Sequence, residues 1–319
     1  MQPLVSIIIP FYNSASFIED AVKSLENQSC DYEAIFVDDG SQDNGHEIIE
    51  CYKAKNPRIK LIRQKNQGAN RARANGVKEA KGEWIAFLDA DDRFLPSFSE
   101  IVEKWNNSFA GDIVVTYNRD LLPTKEDYRV DIETYRKKII LGEIYTGPWS
   151  KLFRRKLFND FVFDFPSNII SAEDYLMNIR LSLNTDSDIM ITKDNYYDCR
   201  FDLNPQSAMK TFKGSWSYCL DYDVHFNNCF SEATRTKYLL QITNRRLSVW
   251  HNNFRKTWKL PKSAYECDYY RLLEEDIRIE DYPLSVYERL NMKLRNPVSR
   301  ALADVFCRIN GIISRIRKI

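Results

Sequence analysis

Apolar residues in the first third of the chain come in short compact runs, and amphipathic stretches separate the runs. Val5-Ser6-Ile7-Ile8-Ile9-Pro10 has the length and β-branched content of a buried strand. Phe17, Ile18, Ala21, Val22 and Leu25 then recur at three- and four-residue steps. This predicts a helix running to about Glu26, with Ser14 or Ser16 as its cap. Glu33 to Val37 is a second strand, and a second helix covers roughly Gly45 to Lys55, where Asn56-Pro57 stops it. Ile59 to Ile62 is a third strand. A third helix spans Asn70 to Ala80 with Lys81-Gly82 as its C-cap, and Trp84 to Leu88 is the fourth strand. Strands alternating with helices predict an α/β fold, a parallel sheet covered on both faces.

The pattern loosens afterwards. Asp112 to Asn118 reads as a strand, while residues 119–145 are charged and weakly patterned. Glu173-Asp174 sits just before a helical pattern of Tyr175, Leu176, Ile179 and Leu183, and Asp188 to Tyr197 reads as a final edge strand. Beyond about residue 210 the pattern is helical: Ser215 to Phe230, Ala233 to Trp258, Ser263 to Ile277 and Ser285 to Leu294.

Composition narrows the class. With 44% hydrophobic and 29% charged residues the chain reads as an ordinary globular protein, and its net charge of +1 provides no global field for nucleic acid. The seven cysteines are scattered without a Cys-x-x-Cys pair, which argues against a zinc site or a disulfide framework and fits a reducing compartment. Neither a signal peptide nor an 18-residue apolar span is expected.

The candidate chemistry lies where strands end. Ligands of parallel α/β sheets sit beyond the carboxyl ends of the strands. Pro10-Phe11-Tyr12-Asn13, Asp38-Asp39-Gly40-Ser41 and Asp89-Ala90-Asp91 all occupy such ends. Strand alternation would place Asp89 and Asp91 on one side and Asp92 on the other. Two close carboxylates repel unless a proton or a cation intervenes, and hard oxygens suit Mg²⁺ or Mn²⁺. Taken alone, the same residues also fit a solvated acidic turn. Neither Gly-x-Gly-x-x-Gly nor a Walker lysine is present, so a phosphate would need a metal and basic side chains. Arg71 and Arg73, at the start of the third helix, are the candidates.

Together, Val5 to Asn13, Asp38-Asp39-Gly40-Ser41-Gln42-Asp43, Asn66-Gln67-Gly68, Ala72 to Gly76 and Asp89 to Asp92 resemble glycosyltransferase family two, inverting enzymes of the GT-A fold found in bacterial surface-polysaccharide synthesis. The resemblance implies that Pro10, Tyr12 and Asp39 bind the nucleoside, that Asp89 binds the ribose and the metal, and that Asp91 holds the metal. From its place at the start of the third helix, Arg73 or Arg71 is expected to contact the diphosphate. Gly147 to Arg155 resembles the segment lining the acceptor side, with Trp149 as a sugar contact or a core residue. Glu173-Asp174, although preceded by Ala172 where the family often has Gly, corresponds to a Glu-Asp pair whose Asp is the catalytic base, with Glu173 contacting the acceptor. Arg200 and Ser207 match a loop that closes over the diphosphate. The Gln-x-x-Arg-Trp of processive synthases is missing, which favours single addition.

The expected organisation is a GT-A catalytic domain at 1–210, with a nucleotide-binding half at 1–118 and an acceptor half at 119–210. A helical region at 211–319 follows. The expected activity is metal-dependent transfer of a sugar from a nucleotide-diphosphate sugar, most simply a UDP-sugar, to a hydroxyl of a glycan or lipid-linked glycan. The rival readings are a non-catalytic nucleotide-sugar binding protein and a nucleotidyltransferase, which would need a glycine-rich, arginine-containing first loop. His225 is read as a helix histidine ahead of a third metal ligand. In the last segment Val298, Ala301, Leu302, Val305, Ile309, Ile312, Ile313 and Ile316 form an apolar stripe beside Arg300, Arg308, Arg315, Arg317 and Lys318. Residues 297–319 thus fit either a helix lying in an anionic membrane surface or one packed on the domain. The expected location is the cytoplasm, including the inner face of the cell membrane.

Overall fold

The computed structural model describes residues 2–116, 125–170, 172–200 and 216–257. The chain divides into two compact units, Met1–Lys213 and Gly214–Ile319. The first is built on an eight-stranded sheet. β1 (Val5–Phe11), β2 (Tyr32–Asp38), β3 (Ile59–Arg63) and β4 (Trp84–Phe87) are mutually parallel, in the order β3-β2-β1-β4. Between them run α1 (Ile18–Glu26), α2 (Gly45–Lys53) and α3 (Ala69–Glu79).

β1 is buried along its whole length, because its two side-chain faces meet different helices. Ile7 and Ile9 share a core cluster with Ile18, Ala21, Val22 and Leu25 of α1. Ile8 faces the other way, against Gly76 of α3, where a Cβ would lie 2.5 Å from an Ile8 methyl. Each fully buried Ile or Leu contributes about 1.5–3 kcal/mol, so the continuous apolar runs set the strand positions.

Local devices differ from the expectation at two places. Neither Ser14 nor Ser16 caps α1: Phe17 occupies the N-cap position, and the Ser14 hydroxyl donates to the Tyr12 carbonyl (3.1 Å). Gly82 does not cap α3, which ends at Glu79 with Ala80 extended. Gly82 is a glycine because a Cβ there would sit 2.4 Å from the Ser6 backbone nitrogen.

The other half of the sheet is not a continuation of the parallel pattern. β8 (Lys151–Arg154) inserts antiparallel between β4 and β6 (Ile113–Val115). β9 (Ile189–Ile191) then pairs parallel with β6, and β7 (Tyr128–Val130) closes the edge antiparallel to β9. The stretch from Asp188 to Tyr197 is therefore not one edge strand. Its start is the interior β9, and its end begins β10 (Tyr197–Asp198), which pairs with β5 (Arg93–Phe94) in a separate ribbon. The weakly patterned 119–145 region holds β7 and α5 (Ile132–Leu141), which Asp131 caps by accepting from Thr134 N–H and Gly142 ends at φ +75°. α4 (Phe98–Ser108) and α6 (Glu173–Leu183) complete the described helices of this unit.

In the second unit the described helices are α7 (Trp216–Asn227), α8 (Glu232–Lys237) and α9 (Leu239–Thr257). The single helix expected over 233–258 is thus two, broken at Tyr238. A buried Asp223–Arg246 pair (2.9 Å) joins α7 to α9. Among the described residues no helix is long and apolar enough to cross a membrane. The helices expected at 263–277 and 285–294, the segment 297–319 and Ser207 lie outside the described residues.

Candidate functional site

The carboxyl ends of β1, β2 and β4 face one cleft, a cavity of about 160 Å³ lined by Pro10, Tyr12, Asp39, Arg73, Asp89 and Asp91 among others. All six were singled out in the sequence, from segments up to eighty residues apart. Tyr12 stands at the end of β1 with 45% of its surface exposed, so its ring is available at the mouth. Asn13 beside it adopts φ +48°, and its side-chain oxygen accepts from the Gln42 N–H (2.8 Å). Asp39 is buried and holds the 64–68 loop. One oxygen accepts from Gln64 Nε2 and Gln67 N–H, the other from Gly68 N–H, each at 2.8 Å. An ionised carboxylate has about four acceptor positions, so one remains.

β4 ends at Phe87, and the chain turns at Ala90-Asp91, where Asp92 N–H donates to the Asp89 carbonyl (3.0 Å). The strand alternation expected through Asp89, Asp91 and Asp92 therefore stops short of them. Their separation is set by partners. Asp92 is buried, accepting from the Tyr197 hydroxyl (2.8 Å) and Arg200 N–H (2.7 Å). The Tyr197 hydroxyl also accepts from Asp89 N–H (3.1 Å). Arg200 donates to the Asp91 carbonyl (2.8 Å) and pairs with Asp20 of α1 (2.5 Å). Asp92 is a structural acid of the turn, and Arg200 is a strap across it.

Two residues along a helix are about 200° apart in direction, so only one of Arg71 and Arg73 can face the sheet ends. Arg73 does. Its guanidinium is buried, donating to Asp174 (2.8 Å) and to Asp89 (3.2 Å). Arg71 instead lines a separate groove with Lys78, Arg155 and Phe161. Arg73 thus joins the turn after β4 to the N-terminus of α6. Asp89 and Asp174 keep 31% and 33% of their side chains exposed, so both stay open to a ligand.

The charges in the cleft are unbalanced. Burial, then the Asp91 and Asp174 charges, lift Asp89 to about 6 against the pull of Arg73. Burial and neighbouring Asp174 push Glu173 up to about 8, and its Oε2 is buried without a partner. Asp174 is also raised by burial, while Arg73 and Lys151 oppose the rise. Burial disfavours charge on Arg73, but Asp174, Asp89 and Glu173 outweigh it and fix the guanidinium as a cation. Perturbed acids clustered in a cleft mark a candidate functional site. Among the described residues no three His, Cys, Asp or Glu side chains stand together as a ready cation site. Asp89 and Asp91 nevertheless offer hard oxygens in a place where negative charge is in excess, which suits a divalent ion completed by oxygens of a bound anion.

Trp149 departs from the sugar-contact expectation. Its ring is buried, stacked on Tyr197 (5.0 Å between centroids) and packed on Tyr145, so it belongs to the core. Two residues of the site were missed in the sequence. Tyr197 ties Asp89 to Asp92, and Lys151 lies buried near Asp174. Lys151 lies inside the Gly147 to Arg155 segment expected to line the acceptor side, but no role was assigned to it there.

Glycosyltransferase GlyG of Streptococcus pneumoniae is 29% identical over 243 residues, which are 68% of this chain and 77% of that protein. The poly(ribitol-phosphate) beta-glucosyltransferase of Bacillus spizizenii is 33% identical over 205 residues, 58% of this chain and 31% of that protein. Of several other curated relatives the chain spans about half the length or less. The crystal structure of Staphylococcus aureus TarS 1-349 in complex with UDP-GlcNAc superposes with a TM-score of 0.72 at 23% identity, covering 95% of this chain and 91% of that one. The sheet and its helices are those of the GT-A fold. The family model described as "Glycosyl transferase family 2" matches residues 6–174, a span that opens in β1 and closes on the carboxylate held by Arg73, and the chain belongs to that family.

Proposed function

We propose that the chain is a non-processive, inverting glycosyltransferase that moves a sugar from a UDP-sugar to a hydroxyl of a glycan or lipid-linked glycan. The observation that carries this reading is the Asp89–Arg73–Asp174 bridge. It sets an acid at the sheet end beside an acid on a helix N-terminus, both partly open to the cleft. A relative acting on poly(ribitol-phosphate) and a fold neighbour solved with UDP-GlcNAc support the same substrate classes.

The nucleoside enters at the strand ends. Tyr12 stacks on the base, Pro10 lines the same wall, and the remaining acceptor position of Asp39 takes the uracil N3–H. Mn²⁺ or Mg²⁺, held by Asp91 with Asp89, would neutralise charge developing on the leaving diphosphate. Arg73 holds one oxygen of Asp174, which leaves the other to accept a proton from the acceptor hydroxyl as it attacks the anomeric carbon. One displacement without a covalent sugar–enzyme intermediate inverts the configuration. Glu173, protonated at neutral pH, can donate a hydrogen bond to the acceptor.

Arg73 therefore acts as the spacer that orients the base, and it reaches the diphosphate only by giving up one of its acids. UDP release from UDP-Glc, UDP-Gal, UDP-GlcNAc and UDP-GalNAc, with and without Mn²⁺, tests the reading. One of the four is expected to turn over with metal, and Asp91→Ala should weaken its metal-dependent binding by calorimetry. Metal-independent turnover, or none of the four binding, would overturn it.

A further inference from the structure

Lys151 opens β8 with 1% of its surface exposed, and its ammonium makes one hydrogen bond, to the Gly147 carbonyl (2.5 Å), beside the Tyr145 ring (5.2 Å). A buried ammonium is costly unless its charge is used. The residue before it, Ser150, adopts φ +59° with its hydroxyl buried and unpartnered, so the backbone is strained where it delivers Lys151. The loop is also bonded to the helix that carries Asp174. Asn178 of α6 donates both to the Thr146 carbonyl and to the Asp174 carbonyl, each at 2.8 Å. The Lys151 carbonyl accepts from the Tyr196 hydroxyl (2.8 Å), next to the Tyr197 that ties down the Asp89–Asp92 turn. Strain, burial and cross-bonding converge on one charge near Asp174.

We propose that Lys151 is a positioning residue for Asp174, an interior ammonium that, with Arg73, favours the ionised carboxylate and orients it toward the acceptor hydroxyl. The inference rests on the reading of Asp174 as the base. Arg73 from α3 is committed to two acids, so it cannot by itself balance Asp174, Asp89 and Glu173, the acids that face one another here. Lys151 supplies the second positive charge from β8. Burial drives its own amine down to about 7, and Asp174 pulls the other way, so each group favours the charged form of the other.

The test compares Lys151→Met, Lys151→Arg and Asp174→Asn in the full chain, following UDP release with Mn²⁺ from the four UDP-sugars named above across pH. Losing the cation should raise the Asp174 pKa. The acidic limb of kcat for Lys151→Met is then expected to move up by about one pH unit, the size a single nearby opposite charge gives. Donor KM should stay within about twofold, because the lysine does not touch the nucleotide side. Lys151→Arg, which keeps the charge, should restore the wild-type limb. An unshifted limb in Lys151→Met, or a change in KM alone, overturns the proposal while leaving Asp174 as base if Asp174→Asn is inactive. An active Asp174→Asn removes the base reading and the proposal with it. Should Lys151→Met not fold by circular dichroism, Lys151→Gln, which keeps a donor for the Gly147 carbonyl, is read the same way.

Discussion

Two ends of the same sheet bury carboxylates in opposite ways. At the amino end Glu33 of β2 is 6% exposed. It accepts from the Ser6 hydroxyl (2.5 Å), Lys81 N–H (2.6 Å), Gly82 N–H (3.2 Å) and the Lys60 ammonium (2.6 Å). Burial alone would raise its pKa, but these donors more than offset burial and the carboxyl ends below its ordinary 4.5. At the carboxyl end Asp89 and Asp174 share one guanidinium, Glu173 keeps an unpartnered oxygen, and all three acids are raised. Both ends are desolvated, and the difference lies in the four donors around Glu33 against the fewer donors and the neighbouring like charges around the cleft acids. The saturated carboxylate serves the fold, and on the proposed reading the under-partnered cluster is left for a ligand.

The sharpest way to break the comparison is to neutralise one acid at each end. Asp174→Asn is expected to cut turnover about 10²–10⁴-fold, the usual worth of a positioned general base, with stability nearly unchanged. Steady-state UDP release and a urea melt on one preparation would check it. Glu33→Gln should do the reverse, costing about 2 kcal/mol of stability, because the amide oxygen still accepts from Ser6, Lys81 and Gly82 but its NH2 is set against the Lys60 ammonium, while activity per folded molecule holds.

The two ends should also slope oppositely with pH. The depressed pKa of Glu33 gives stability that is present above pH 4.5 and is lost as pH falls through its lower folded value. The raised pKa of Glu173 works the other way. The folded state keeps a proton that the unfolded state releases, so stability falls as pH rises from 4.5 to about 8. Glu173→Gln removes that loss and should stabilise the protein by about 1–2 kcal/mol at pH 8 relative to pH 5, read from urea midpoints. A flat difference between the two pH values would mean that Glu173 titrates normally. The smallest expected effect is Ser6→Ala, about 1 kcal/mol, because Ser6 donates to Glu33 and accepts from Gly82 N–H (2.8 Å).

Legibility in the sequence followed the same divide. β1 to β4 and α1 to α3 were readable because each is a local run with its own period, and their ends carry the turn residues of the cleft. α5 had a readable cap in Asp131 and a stop in Gly142, but its charged surface hid the period. β8 was unreadable as a strand of this sheet, because four residues acquire an antiparallel place between β4 and β6 only once both exist. Tyr197 and Lys151 gave no local sign of their partners, since those lie on other elements.

The sequence by itself determined the parallel half of the sheet, the cluster of Pro10, Tyr12, Asp39, Asp89 and Asp91 at its edge, and the α6 start at Glu173-Asp174. Periodicity and turn chemistry act over a few residues and need no distant partner. Only the tertiary structure decided that Arg73 rather than Arg71 faces the cleft, that Trp149 is core, that Tyr197 and Arg200 hold Asp92, and that Lys151 is buried near Asp174. Those outcomes depend on which surface meets which, and on the charge that each desolvated group finds across the gap.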